Sequence, residues 1–194
     1  RAAVGDKMDI MVELHGLWRY PAALKVAAAI EQYDPFWYED PIRLDSLQAL
    51  TDFASTTRVP VCVNETLGSP HEFRDLMETG AAAVVMPDLS WCGGLTAAKK
   101  IAAIADTYHR PIAPHDCCGP VGFFACVHLS LSAPNVLIQE SVRAFYTGWY
   151  NELVTNVPPM EAGHILPPSG VGLGTELLPD FTKRKDATVV SATL

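Results

Sequence analysis

Long apolar segments are missing from this chain. No run approaches the roughly 20 residues that a helix needs to cross a bilayer. The first six residues, Arg1 to Asp6, also lack the apolar core of a signal peptide. We therefore expect a cytoplasmic protein that has no membrane partner.

Positive charge is scarce and is not clustered. The 14 Lys and Arg residues are outnumbered by 22 Asp and Glu residues, which gives a formal net charge of −8. This balance argues against nucleic acids and anionic membranes as partners. If the substrate is an anion, its binding site must supply local positive charge.

The five cysteines are odd in number and contain no Cys-X-X-Cys pair. Neither a disulfide framework nor a zinc knuckle is therefore indicated. His115 stands near Cys117 and Cys118, but adjacent cysteines do not easily ligate one ion together. Free thiols in a reducing compartment are the better interpretation.

Short apolar runs alternate with longer, alanine-rich amphipathic stretches. The pattern predicts strands at 8–12, 36–38, 59–64, 82–86, 111–114 and 135–139, and helices at 21–33, 45–57, 70–79, 94–108 and 121–132. Asp45 is predicted to cap the second helix and Gly80 to end the third. Strand–helix steps of this length require a parallel sheet. Their regular spacing, with no glycine-rich dinucleotide fingerprint, favours an α/β fold of the (β/α)8 TIM-type barrel over an open sheet.

Only six of the eight strands of such a barrel are found. A complete barrel takes about 250 residues, whereas this chain has 194. We expect residues 1–157 to form a partial barrel from about the third strand onward, within a longer protein. The proline- and glycine-rich composition of 158–174 predicts that 158–194 is a tail, which packs back on the barrel or on a further domain.

Acidic or histidine side chains close all six predicted strands. In chain order they are Glu13, Glu39, Glu65, Asp88, His115 and Glu140. The carboxyl ends of barrel strands form one face, where active sites are built, and neighbouring strands lie about 4.8 Å apart. The first three carboxylates would therefore crowd together and call for a divalent cation, for which Mg²⁺ fits an all-oxygen ligand set. The alternative is that one or more are surface or ion-pair groups.

The other strand ends suggest proton transfer. Asp88 would orient His115 and raise its basicity, which makes His115 a candidate general base. Glu140, if protonated, could donate a hydrogen bond to a developing enolate oxygen, although a structural role is also open. Alternation along an extended strand would bring His15 to the same side as Glu13, where it could protonate a departing hydroxyl or act as a capping residue.

Seven short segments occur in an order that resembles the enolase superfamily, specifically the mandelate racemase and muconate lactonizing enzyme group. They are Val12-Glu13-Leu14-His15-Gly16, Trp37-Tyr38-Glu39-Asp40-Pro41, Val63-Asn64-Glu65-Thr66, Met86-Pro87-Asp88, Cys92-Gly93-Gly94, Ala113-Pro114-His115 and Ile138-Gln139-Glu140. The resemblance implies a modified (β/α)7β barrel and a homo-oligomer. It also implies an N-terminal capping domain, which nothing in this sequence matches.

The resemblance assigns roles to the same side chains. It implies that Mg²⁺ is held by Glu13, Glu39 and Glu65 and receives the substrate carboxylate. It further implies a catalytic His115–Asp88 dyad and an electrophilic Glu140. The first ligand is usually aspartate in the family, and many members carry a Lys-X-Lys base on the second barrel strand, a segment that nothing in this sequence matches.

The position of His15, two residues after the first ligand, resembles the pattern of the acid-sugar dehydratases in this group. The leading hypothesis is therefore a hydro-lyase that converts an acid sugar, a small-molecule carboxylate, to a 2-keto-3-deoxy acid. A racemase, epimerase or cycloisomerase shares the first half of that reaction and stays open. A catalytically silent, truncated barrel is the alternative that involves no enzyme activity.

Overall fold

A computed structural model describes residues 1–191 and contains a parallel sheet of four strands. The strands pair in chain order: β1 (Met11–Glu13), β2 (Trp37–Glu39), β3 (Val61–Val63) and β4 (Val84–Val85). Single parallel bridges, Val85 to Ile112 and Ile112 to Val136, continue the same order. The predicted α/β fold with a parallel sheet is confirmed.

The last two predicted strands form isolated bridges rather than ladders. Pro111 and Pro114 flank Ile112, and each lacks the backbone N–H that a continuous ladder requires. Ile112 still donates its N–H to the carbonyl of Asn135 and accepts from Leu137. The order of the sheet is therefore as predicted, although its two last segments are irregular.

Each connection between successive strand segments carries a helix, and one short helix follows the last segment. The helices are α1 (Tyr20–Ile30), α2 (Leu47–Thr56), α3 (Pro70–Thr79), α4 (Gly94–Thr107), α5 (Pro120–Ser132) and the short α6 (Arg143–Tyr146). The prediction that Asp45 caps α2 is wrong, because Ser46 accepts the N–H of Ala49 through its hydroxyl. Gly80 ends α3 with φ 70°, as predicted, a conformation that glycine adopts without steric cost.

Apolar side chains cover both faces of the sheet, as parallel sheets require. Tyr38 points toward the helices, where the main core includes Leu50, Phe53, Phe73, Leu76 and Ile101. Trp37, its neighbour in β2, lies on the opposite face in a smaller cluster with Cys62, Val84, Met86 and Ala113. The alternation of one strand thus divides the two clusters.

The chain after α6 contributes a third apolar cluster. An antiparallel pair, β5 (Met160–Glu161) and β6 (His164–Ile165), follows a 3₁₀ turn at Trp149–Glu152. Met160 and Ile165 pack against a cluster of Phe123, Val127 and Tyr150. The boundary at residue 157 stays a prediction. Among residues 1–191, no helix has the length and apolar composition needed to cross a membrane.

Candidate active site

Three carboxylates meet at the carboxyl ends of β1, β2 and β3. Glu13 and Glu39 are the last residues of their strands and are direct register partners, and Glu65 follows β3 by two residues. One oxygen from each lies within 4.8 Å of those of the other two. The structure therefore brings together the three carboxylates that the sequence placed at adjacent strand ends.

Glu39 is the most enclosed of these three acids. Its side chain accepts a hydrogen bond from the Trp37 ring nitrogen at 3.0 Å, and the residue is 7% exposed. Burial, with the hydrogen bond to Glu13 and its charge, raises the pKa of Glu39 to about 9. Without a cation, the group therefore favours its neutral form.

Asp88 and His115 form a close pair beside the carboxylates. Their backbones are joined by a parallel bridge, and Asp88 Oδ2 lies 2.7 Å from His115 Nδ1. The Ser90 N–H donates to Asp88 Oδ1 at 2.6 Å, and the Cys118 thiol donates to Asp88 Oδ2 at 3.0 Å. Burial of Asp88 favours its neutral form, but these hydrogen bonds outweigh it and lower the pKa of Asp88.

The other ring nitrogen of His115 faces two further acids. Nε2 lies 2.9 Å from Glu65 Oε2 and 3.8 Å from Glu140 Oε2. Burial opposes a charged ring, yet hydrogen bonds to Asp88 and Glu65 raise the pKa of His115 to about 11. The hydrogen bond to His115 in turn lowers the pKa of Glu65. Glu65 therefore links the other two carboxylates, Glu13 and Glu39, to the His115–Asp88 pair.

Glu140 reaches the site from the last bridged segment of the sheet. Its Oε2 accepts the N–H of Asp116 at 2.6 Å. Burial raises the pKa of Glu140, and the Asp116 N–H and His115 only partly offset this. The carboxyl group is thus suited to carrying a proton beside His115.

His15 reaches the site by a route that differs from the predicted one. β1 ends at Glu13, and His15 has a left-handed backbone with φ 54° and an exposed side chain. The prediction that strand alternation positions it is therefore wrong. Its backbone N–H binds the Glu13 carboxylate, its Nδ1 lies 4.0 Å from Glu13 Oε1, and its side chain lines the cavity.

A cavity of about 560 Å³ opens between these groups, a volume typical of small-molecule sites. All the sequence-predicted site residues except Asp88 line it; Asp88 lies behind His115. Trp37 and Cys118 are contacts that the sequence interpretation missed. Trp37 could have been found, since it stands two residues before Glu39 on the same strand face. No sequence signal indicates the contact between Cys118 and Asp88.

Comparison with known proteins gives a consistent result. The family described as enolase C-terminal domain-like matches residues 1–181. The D-galactonate dehydratase of Ralstonia nicotianae is 32% identical over 182 residues, which cover 91% of this chain and 48% of that protein. The D-xylonate dehydratase of Haloferax volcanii is 31% identical over 175 residues, covering 90% and 42%. This chain thus spans about half the length of the curated relatives it matches.

Solved structures agree with the sequence relatives. A crystal structure of an enolase of the mandelate racemase subgroup from Agrobacterium tumefaciens aligns with a TM-score of 0.90 at 56% identity. The alignment covers 94% of this chain and 50% of the other. A mandelate racemase/muconate lactonizing enzyme from Jannaschia sp. CCS1 aligns with a TM-score of 0.89 at 36% identity, covering 98% and 48%.

Proposed function

Because this chain belongs to the enolase C-terminal domain-like family, we propose that it is part of a Mg²⁺-dependent enzyme that removes the proton α to a substrate carboxylate. The observation that carries the proposal is the convergence of three carboxylates and a His–Asp pair on one cavity. The names of the dehydratase relatives support an acid sugar as substrate and water as the leaving group. The reaction class would then be a hydro-lyase.

The proposal extends to the architecture of the whole protein. The parallel sheet continues in chain order through six segments, and relatives of about twice the length match it. We propose that further strands close it into a (β/α)7β barrel and that a capping domain covers the cavity. Such a domain would complete the substrate pocket above Glu13 and His15.

The donor set fits Mg²⁺. Glu13, Glu39 and Glu65 offer only oxygen atoms, and three acids so close together are stable in ionised form only with a counter-charge. When bound, Mg²⁺ would supply the positive charge that attracts the substrate carboxylate and stabilises the negative charge developing on it. This also resolves how a chain of net charge −8 accepts an anion.

His115 would take the α-proton at Nε2. Its Nδ1 is held by Asp88, so Nε2 is the nitrogen available to the cavity. Nε2 accepts a proton only when it carries none, so its contact with Glu65 must give way when substrate enters. Asp88 then stabilises the charge that the ring acquires.

Glu140 and His15 would serve the remaining steps. A protonated Glu140 would donate a hydrogen bond to the oxygen on which charge develops. His15 or the protonated His115 would give a proton to the β-hydroxyl, which leaves as water when the C–O bond breaks. The resulting enol tautomerises to a 2-keto-3-deoxy acid.

The presence of two histidines on the cavity also permits a second function. His15 and His115 approach from different strand ends, so one could remove the proton and the other return it on the opposite face. That reaction would be a racemisation or epimerisation and would need no leaving hydroxyl.

The test is proton NMR of the full-length protein in D₂O with Mg²⁺, against pools of monoacid and diacid sugars. Loss of an α-proton signal together with 2-keto-3-deoxy product supports the dehydratase. Exchange without product moves the assignment to a racemase or epimerase. Absence of exchange in every pool, with Mg²⁺ shown to bind, would exclude acid sugars as substrates and favour a catalytically silent barrel.

A further inference from the structure

A second cluster of potential metal ligands lies next to the carboxylates, and its chemistry is different. Potential ligand atoms of His115, Cys117 and Cys118 all lie within 4.8 Å of one another. His115 also touches Glu65, so the oxygen-rich and sulfur-rich clusters are direct neighbours. Cys117 and Cys118, unlike His115, have no role in the proposed reaction.

The two cysteines differ from the other three in their surroundings. Cys62, Cys92 and Cys126 are buried, whereas Cys117 and Cys118 are exposed. Thiols that reach solvent can meet a metal ion, while thiols enclosed by apolar side chains are inert.

Local geometry removes the sequence objection to adjacent cysteines as ligands. In an extended strand their side chains would point to opposite sides, but the chain bends at Cys118 before α5 begins. The Cys118 thiol is held beside the imidazole, because it donates to the same Asp88 oxygen that binds His115 Nδ1. Cys117 lines the cavity itself.

We infer that His115, Cys117 and Cys118 form a site for a soft divalent cation such as Zn²⁺ or Cd²⁺. Two sulfurs and one imidazole nitrogen are three of the ligands that tetrahedral zinc prefers, and a water or buffer oxygen completes the fourth position. Binding displaces the two thiol protons and the proton on the ligating ring nitrogen of His115; all three pass to solvent, and no oxidant or reductant is needed. Mg²⁺ does not compete, since it selects oxygen ligands.

A cation bound at this site would coordinate the imidazole of His115. A soft cation would then block proton abstraction while the carboxylates remain free to bind Mg²⁺. Only this inhibitory consequence rests on the proposed function; the cation site itself does not.

The test is a Co²⁺ titration of the protein without oxygen and with excess Mg²⁺, which is added to compete with Co²⁺ at the carboxylates. Thiolate ligation gives a near-ultraviolet charge-transfer absorption, and tetrahedral coordination gives intense visible bands. We expect one equivalent of Co²⁺ to produce both, and one equivalent of Zn²⁺ to remove both. In C117S, C118S and H115A, Co²⁺ affinity should fall at least tenfold. H164A, which changes an exposed histidine outside the cavity, should match the original protein.

Three results would overturn the inference: no charge-transfer band, an unchanged affinity in either serine variant, or an unchanged affinity in H115A. The last would indicate a two-thiol chelate that does not include the imidazole. The readout is spectroscopic and needs no substrate. A positive titration with no turnover of any acid sugar would therefore support this site while contradicting the proposed function.

Discussion

In the carboxylate half of the cavity, Glu13, Glu39 and Glu65 bring three acids within 4.8 Å of one another. In the histidine half, by contrast, Asp88 and Glu140 flank a basic ring. Burial and the neighbouring Glu13 raise the pKa of Glu39 to about 9. Hydrogen bonds from the ring, the Cys118 thiol and the Ser90 N–H instead overcome burial and lower the pKa of Asp88.

The difference shows that proximity of acids alone does not define a role. The histidine half contains its own counter-charge, so its geometry is set by hydrogen bonds within the chain. The carboxylate half has only partial compensation, through the contact of Glu65 with His115. A cation from solution is therefore expected to change the carboxylate half far more than the histidine half.

The largest expected effect separates catalysis from metal binding. The substitution H115N removes the base and should slow α-proton exchange by about 10²–10⁴-fold, the usual contribution of general base catalysis. Mg²⁺ affinity should stay within a few-fold, because all three carboxylates remain. Exchange is measured by NMR in D₂O and Mg²⁺ affinity by calorimetry. H164N is the control, and exchange at the original rate in H115N would mean that the base lies elsewhere.

The substitution E39Q tests the opposite case, in which Mg²⁺ binding is lost while the catalytic base His115 is kept. Loss of one charged ligand should weaken Mg²⁺ binding by about 100-fold or more, since second-shell changes alone cost 10–100-fold. Without Mg²⁺, the free energy of unfolding should not fall, because Glu39 then favours its neutral form and glutamine is a neutral side chain of nearly the same shape. Calorimetry and urea unfolding measure the two quantities.

Glu161 provides the matched control for E39Q, because its side chain is exposed on β5. E161Q should leave both Mg²⁺ affinity and stability unchanged. A Mg²⁺ affinity in E39Q equal to that of the original protein would show that the three carboxylates do not hold the ion.

Asp116 gives a pH dependence on the histidine half. It is 2% exposed, and burial, followed by the charge of Glu140, raises its pKa from 3.8 to about 7. An acid whose folded pKa is higher than its unfolded pKa favours folding at low pH, and that contribution is lost as pH rises from about 4 to 7. His115 opposes the shift and Asp88 adds to it.

The substitution D116N should therefore remove part of this loss. Relative to D116N, the original protein should lose about 1–2 kcal/mol of unfolding free energy between pH 4.5 and 8, less than the roughly 4 kcal/mol maximum for a pKa change of this size. Urea unfolding at both pH values measures it. Equal pH dependence in the two proteins would show that Asp116 titrates normally.

The sequence predicts the positions of strand ends better than it predicts the contacts made there. Glu13, Glu39 and Glu65 could be placed together because parallel topology brings the carboxyl ends of adjacent strands to one edge. The Asp88–His115 pair follows from the same rule, since those residues bridge neighbouring segments. These predictions need only the order and spacing of the strands.

Local backbone conformations and helix caps were harder to predict. His15 has a positive φ that ends the alternation of β1, and Ser46 rather than Asp45 caps α2. In both cases a short-range hydrogen bond, to Glu13 or from Ala49, outweighs the pattern. The contact of Cys118 with Asp88 spans 30 residues and depends on the bend before α5, which has no periodic signal.

The smallest predicted effect is a loss of stability on substitution of Cys118, which lies in the histidine half of the cavity. In C118A the ionised Asp88 loses a hydrogen-bond donor, so the free energy of unfolding should fall by about 0.5–1.5 kcal/mol. C118S keeps a donor at nearly the same place and should lose less. Because Cys118 does not contact the carboxylate half in the described residues, Mg²⁺ affinity should be unchanged in both variants. Urea unfolding and calorimetry provide the two values, and a fall in Mg²⁺ affinity in C118A would show that the two halves of the cavity are coupled through Glu65 and His115.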